Sequence, residues 1–224
     1  MIMSIFGLNN KILLEEGNVN VLEIYNKKLF YNLITILNES DNSMEDNQIV
    51  LMQNNERVSI GKNVFVLTDI FNIDFNSKKI LNKLYSTLIE NIKNRQDDEL
   101  ENITLKLRNY LIEEINELPF EFSIKSELEL NDLLKAFELK IDTMCYTTIV
   151  EKIEFITDII STLKIATILV IPNLKIYLDE NELLEIYKYS IYNNVQLLVI
   201  ENSNSEELLK YEIKNIIDEE FDEF

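Results

Sequence analysis

Histidine is absent from this 224-residue chain, cysteine occurs once, proline twice and glycine three times. Each shortage excludes chemistry. Without histidine there is no Ser-His-Asp or Cys-His arrangement and no histidine-ligated zinc or haem. Nor is there any side chain whose ordinary pKa suits it to act as general base near neutrality. The single cysteine, Cys145, can form neither an internal disulfide nor a cysteine-rich metal site. With no histidine to activate it, it reads as a small core residue. Gly7, Gly17 and Gly61 form no G-x-x-x-x-G-K-[ST] or G-x-G-x-x-G pattern, so no glycine loop brings backbone amides up to a phosphate. Long apolar runs are missing as well. The longest, Ile165 to Ile171 with Thr167 inside it, falls far short of the ~20 residues that cross a bilayer. No positively charged apolar leader opens the chain, so the expectation is a cytoplasmic protein with no membrane partner.

Positive charge is also scarce. Against 40 Asp+Glu stand 21 Lys+Arg, a formal net charge of −19. Taken whole, that opposes nucleic-acid binding, which is driven by cations that displace counterions from phosphates. The distribution is uneven, however. Residues 1–56 carry a net −5 and residues 97–224 a net −18. Between them, residues 57–96 carry Arg57, Lys62, Lys78, Lys79, Lys83, Lys93 and Arg95 against Asp69, Asp74 and Glu90, a net +4. Such a stretch is either a localised anion-binding face or an ordinary solvated helix face, and charge alone leaves both open.

Short apolar, β-branched runs predict strands at 2–6, 12–14, 19–24, 49–52, 64–67, 168–171 and 195–200. The later ones are near-continuous apolar and β-branched runs, as expected of strands covered on both faces. Helical spacing appears at 27–38, at 77–94 (Ile80, Leu81, Leu84, Leu88 and Ile92 on one side, with Asn76 or Ser77 as N-cap) and at 182–192. Between these, residues 97–118, 131–137 and 148–163 are helical and mostly acidic, and Pro119 ends the first. The predicted architecture is an α/β head formed by 1–96 and 165–224, with a helical leg inserted at 97–164. Residues 218–224 read as a solvated, mobile acidic end.

The order of these segments resembles the Csn-two family of type II-A CRISPR-associated proteins, which act in acquiring spacers. The main match is Val64 to Lys83, VFVLTDIFNIDFNSKKILNK. Val21-Leu22-Glu23, Asn116-Glu117-Leu118 with Glu121, Thr148 to Lys152 (TIVEK) and Val195 to Glu201 (VQLLVIE) support it. The resemblance implies an α/β head like that of P-loop NTPases but without a nucleotide site, carrying an inserted α-helical leg. It also implies a homotetrameric ring that binds calcium and holds double-stranded DNA ends in a lysine-lined hole, as a non-catalytic accessory to the integrase complex and effector nuclease of CRISPR adaptation. The residues are consistent with a missing nucleotide site: Tyr25-Asn26-Lys27-Lys28 follows the strand 19–24, and Pro172-Asn173 stands where an acid would hold magnesium.

The resemblance implies a lysine-lined DNA site without matching each lysine, and the basic stretch supplies the candidates. These are Lys78, Lys79 and Lys83, followed by Arg57, Lys62 and Lys93, with contacts to phosphates and not to bases. The calcium candidates are Glu117 and Glu121, with Glu127 and Asp142. Glu113, Glu129 and Asp132 lie near them in sequence, but no EF-hand loop is present, and by spacing alone these acids are a solvated surface. Two other readings stand beside this one. Asp69 and Asp74 could hold magnesium in an NTPase or nuclease of the same fold, although Asp69 also reads as plain turn chemistry. Alternatively, the acidic surface could make the protein a scaffold that contacts only other proteins.

Overall fold

A computed structural model of the protein describes residues 1–6, 8, 10–39, 48–95, 99–125, 128–143, 145–203, 207–220 and 222–223. In chain order the elements are β1 (Ile2–Ile5), β2 (Lys11–Leu13), β3 (Val19–Ile24), α1 (Lys27–Glu39), β4 (Ile49–Gln53) and β5 (Glu56–Val58). They continue with the single turn α2 (Ile60–Asn63), β6 (Val64–Val66), α3 (Lys78–Asn94), α4 (Glu99–Asn116), α5 (Leu130–Ala136) and α6 (Ile149–Leu163). Last come β7 (Ile168–Pro172), a 3-10 turn at Leu174–Ile176, α7 (Glu180–Tyr192), β8 (Gln196–Glu201) and β9 (Glu212–Ile217).

Two sheets form. Strands β6, β7, β8, β3 and β9, in that spatial order, make a wholly parallel sheet, and β2, β1, β4 and β5 make an antiparallel one. Every residue of β3 is buried, as a central parallel strand requires. Alternation then sorts its side chains. Leu22 and Ile24 join Val170, Leu198, Ile200 and Ile217 in a core that also holds Leu33 and Leu37 of α1 and Met3, Ile12, Ile49 and Leu51 of the antiparallel sheet. Residues of opposite parity, Val21 and Glu23 among them, face the other way. On that side Tyr187 of α7 reaches Glu212 of β9, its hydroxyl donating to Oε1 at 2.8 Å.

The chain divides into two compact units, residues 1–75 with 143–224, and residues 76–142. The sequence suggested breaks at 97 and 164; in the structure α3 goes with the helical unit and α6 with the α/β unit. The reason lies in packing. Ile153, Ile156, Ile159, Ile160 and Leu163 of α6 are buried, and α6 is tied to α7 where Tyr189 donates to the Asp158 carboxylate at 2.8 Å and Ser161 Oγ donates to the Asn193 carbonyl at 2.9 Å. Within the α/β unit the insertion is flanked by aromatics. Phe75 and Tyr146 both meet Phe155 of α6, with ring centroids at 5.1 and 4.0 Å.

Local chemistry fixes the helix starts. Thr148 Oγ1 accepts from the Glu151 amide at 3.1 Å, and the Glu151 carboxylate accepts from the Thr148 amide at 2.9 Å, a reciprocal capping box for α6. Asp179 and Glu182 repeat it at α7. Ser77 occupies the N-cap position of α3 but makes no side-chain cap bond. Asn76 does something else: its side chain exchanges two bonds with the backbone of Ile141, at 2.8 and 3.1 Å. The two ends of the helical unit are thereby held side by side. Inside that unit α3 packs on α5, and Tyr85 donates to the Leu139 carbonyl at 2.9 Å. No residue of α4 is buried, and Leu105, Leu107, Tyr110 and Leu111 stand exposed along it.

Three expectations need correction. Cys145 is exposed, not core, because it lies in the irregular segment before α6. The chain end is not simply solvated: Ile217 bridges Glu223, and Asp218 Oδ1 accepts from the amides of Glu220 and Asp222 at 2.8 and 2.9 Å. Finally, β5 and β9 form strands that apolar patterning did not predict.

Candidate nucleic-acid interface

Lys78, Lys79 and Lys83 are all exposed on α3. The i,i+4 and i,i+3 steps of a helix place Lys79, Lys83, Ser86, Glu90 and Lys93 along one stripe, and each of these five is exposed. At 1.5 Å per residue the stripe from Lys79 to Lys93 extends roughly 20 Å, long enough to follow several phosphates. Lys79 keeps its place at the surface, yet burial lowers its pKa from the ordinary lysine value. The other two basic candidates belong to the α/β unit. Arg57 lies on the edge strand β5 and is half-buried, and Lys62 is exposed on α2. Four candidates therefore share one helix, and two sit on a separate unit.

The acidic candidates do not converge. Glu117, Glu121 and Asp142 are exposed, and among the described residues no three carboxylates come close enough together to hold a metal ion. Glu127 lies outside the described residues. Nearby, Glu129 and Asp132 are already engaged, both by the ammonium of Lys125 at 2.9 and 3.4 Å. The described part of one chain does not form a calcium cage. Asp69 is committed to its turn. One carboxylate oxygen accepts from the amides of Phe71 and Asn72 at 3.0 and 2.9 Å, and the other accepts from the Asn72 side chain at 3.1 Å. These bonds hold its pKa below the ordinary carboxylate value.

Where a nucleotide-binding fold would place its phosphate loop, after β3, the chain makes a tight turn instead. Asn26 Oδ1 accepts from the amides of Lys28 and Leu29 at 3.1 and 3.0 Å. Two of the amides that would meet a phosphate at this helix N-terminus are thus already taken. After β7, Pro172 leads to Asn173, whose amide donates to the Ile200 carbonyl at 2.8 Å. Asn202 closes the region from the other side, donating through its side chain to the carbonyl of Ile24 at 2.6 Å. Among the described residues, the turns at these ends of the parallel sheet are thus closed by internal hydrogen bonds.

Sequence reasoning missed a buried ionic cluster on the α7 side of the sheet. Glu23 and Glu201 are register partners on β3 and β8, and each is at most 1% exposed. Glu23 pairs with Lys214 of β9 at 3.1 Å, and Glu212 pairs with Lys175 at 2.7 Å. The signal was present: Val21-Leu22-Glu23 and Val199-Ile200-Glu201 place an acid one residue before the end of β3 and at the end of β8, where the apolar pattern calls for another hydrophobe.

The family of CRISPR-associated proteins designated Cas_Csn2 matches residues 41–221. The chain belongs to that family. A CRISPR-associated protein Csn2 from Enterococcus faecalis is 27% identical over 211 residues, covering 93% of this chain and 92% of its own length. The fold is that of the crystal structure of Stu0660 of Streptococcus thermophilus, with a TM-score of 0.58 at 15% identity, over 97% of this chain and 74% of that one. Among the described residues no helix is long and apolar enough to cross a membrane.

Proposed function

We propose that this CRISPR-associated protein acts in spacer acquisition as a non-catalytic clamp on double-stranded DNA ends, working as a homotetrameric ring in the cytoplasm. The observation that carries the reading is the exposed lysine stripe on α3, in the one basic stretch of a chain whose net charge is −19. Four copies arranged around a hole would concentrate these lysines on one polyanion, while acid elsewhere repels DNA from the rest of the surface. The unburied apolar residues of α4 support self-association, since exposed apolar surface of this kind commonly marks an interface. The occupied turn at Asn26 favours a clamp over an NTPase, and the committed carboxylate of Asp69 favours it over a metal-dependent nuclease.

Calcium takes a restricted place in this reading. One chain supplies exposed carboxylates without gathering three of them among the described residues, so the ion would need ligands from more than one copy, or Glu127. The clamp itself is tested by fluorescence anisotropy on a short linear duplex, comparing the wild type with the Lys78→Glu/Lys79→Glu/Lys83→Glu variant and monitoring molar mass in parallel. Loss of binding with an unchanged mass supports the clamp. A wild type that fails to bind duplex at low salt refutes it and favours a scaffold contacting only proteins.

A further inference from the structure

The cluster between the parallel sheet and α7 does not balance its charges. It holds three carboxyl groups, Glu23, Glu201 and Glu212, and two ammonium groups, Lys175 and Lys214, with no side chain of the two ion pairs more than 14% exposed. Lys214 serves Glu23, and Lys175 serves Glu212, which also accepts from the Tyr187 hydroxyl. Glu201 accepts from the backbone amide of Lys175 through its Oε1 at 2.9 Å, and the Leu174 amide and the charge of Lys175 also favour its ionised form. Its Oε2 is buried with no hydrogen-bond partner among the described residues, and the side chain is 1% exposed. A buried carboxylate with one oxygen unpartnered is costly to keep ionised, and desolvation favours the protonated acid.

We propose that Glu201 is a proton site built into the fold, held as a neutral carboxylic acid below neutral pH and ionising at the expense of the packing between the sheet and α7. The charged and titratable groups that act on it are Glu23 on β3, Lys175 on the 3-10 turn and Tyr187 on α7. Glu212 and Lys214 on β9 complete the cluster through their pairs with Lys175 and Glu23. Burial pushes its pKa up to about 7 from an ordinary 4.5. The amide and charge of Lys175 oppose that rise, and the charge of Glu23 adds to it. Because the folded-state pKa lies above the unfolded one, this group's contribution to stability is full below about pH 4.5. It declines as pH rises and is lost above about 7. The bond from Lys175 to Glu201 ties the turn at 174–176 to the end of β8, next to the closed nucleotide position. Ionisation therefore acts on that end of the sheet.

The test is denaturant unfolding of the full chain at pH 5 and pH 8 at equal ionic strength, for wild type and Glu201→Gln, which mimics the neutral acid. Other titrating groups are common to both. The ratio of the wild-type to the variant unfolding constant should rise about a hundredfold between the two pH values. A ratio independent of pH overturns the proposal. Should the variant fail to fold, carboxyl NMR of wild-type protein labelled at the Glu side-chain carbon decides. A signal titrating near neutrality supports the proposal, and every Glu signal titrating in the ordinary carboxylate range contradicts it.

Discussion

Lys175 and Glu212 meet at 2.7 Å with side chains 11% and 0% exposed, and Tyr187 donates to the same carboxylate oxygen at 2.8 Å. The pair joins the turn after β7 to the edge strand β9. Breaking it should be costly, because Glu212 would keep a buried charge without its cation. Lys175→Met is expected to lower stability by about 3–5 kcal/mol, and Lys175→Met with Glu212→Gln, which removes the charge and keeps an acceptor for Tyr187, to recover much of that loss. Urea midpoints at pH 7 measure both. A double variant as unstable as the single would show that the pair itself, and not the orphaned carboxylate, sets the cost.

The start of α6 predicts a separate pH dependence. Glu151 accepts from the amides of Thr148 and Thr147 and from the Thr147 hydroxyl, which lowers its pKa to about 2. A carboxylate shifted down contributes stability above its ordinary value of 4.5, and that contribution fades as pH falls towards 2. Glu151→Gln should therefore melt below the wild type at pH 7, with the two curves converging by pH 2–3. Thr148→Ala removes the other half of the box and should cost about 1 kcal/mol at neutral pH. A Glu151→Gln deficit that is constant with pH would assign its effect to packing.

Much of this architecture is legible in the sequence, because β6 and β7 are apolar runs, β3 and β8 are mostly apolar, and several helices have clean stripes. The strand at 19–24 falls where patterning puts it, and the helix expected at 27–38 spans Lys27–Glu39. The failures have physical causes. β9 reads Glu212-Ile213-Lys214-Asn215-Ile216-Ile217, and its charges look solvent-facing until the partners on β3 and on the turn after β7 are known. The division at 76 and 142 depends on Asn76 meeting Ile141, a pairing that spans 65 residues. The lysine stripe was visible as i,i+4 spacing. Whether acids 117, 121 and 142 converge was not, since spacing along the chain does not reveal distance across it.

Neutralising the stripe in part should weaken DNA binding in proportion. Each lysine that touches a phosphate contributes about 0.9 to the slope of log K against log salt. Lys93→Gln, at the far end of the stripe from Lys79, should therefore make the slope shallower by about 0.9 for each copy whose Lys93 meets a phosphate, and should do so equally on unrelated duplex sequences. A change that depends on base sequence would mean that the helix reads base edges, contrary to a phosphate-tracking face.

The turn at Asn26 predicts no response to nucleotide. Millimolar ATP or GTP with magnesium should leave the melting temperature unchanged, because a ligand stabilises only the state that binds it. An upward shift that grows with nucleotide concentration would place a site where the structure has a filled cap.

The ring-loading account is tested most directly by comparing one duplex in two topologies, linear and covalently closed, at the same length and salt. A closed protein ring can load only over an end, so the linear form should bind while the circle binds poorly. Linearising the circle with a single cut should restore full binding. Equal affinity for circle and linear duplex would contradict end loading and leave the α3 lysines as an open, ring-independent DNA face.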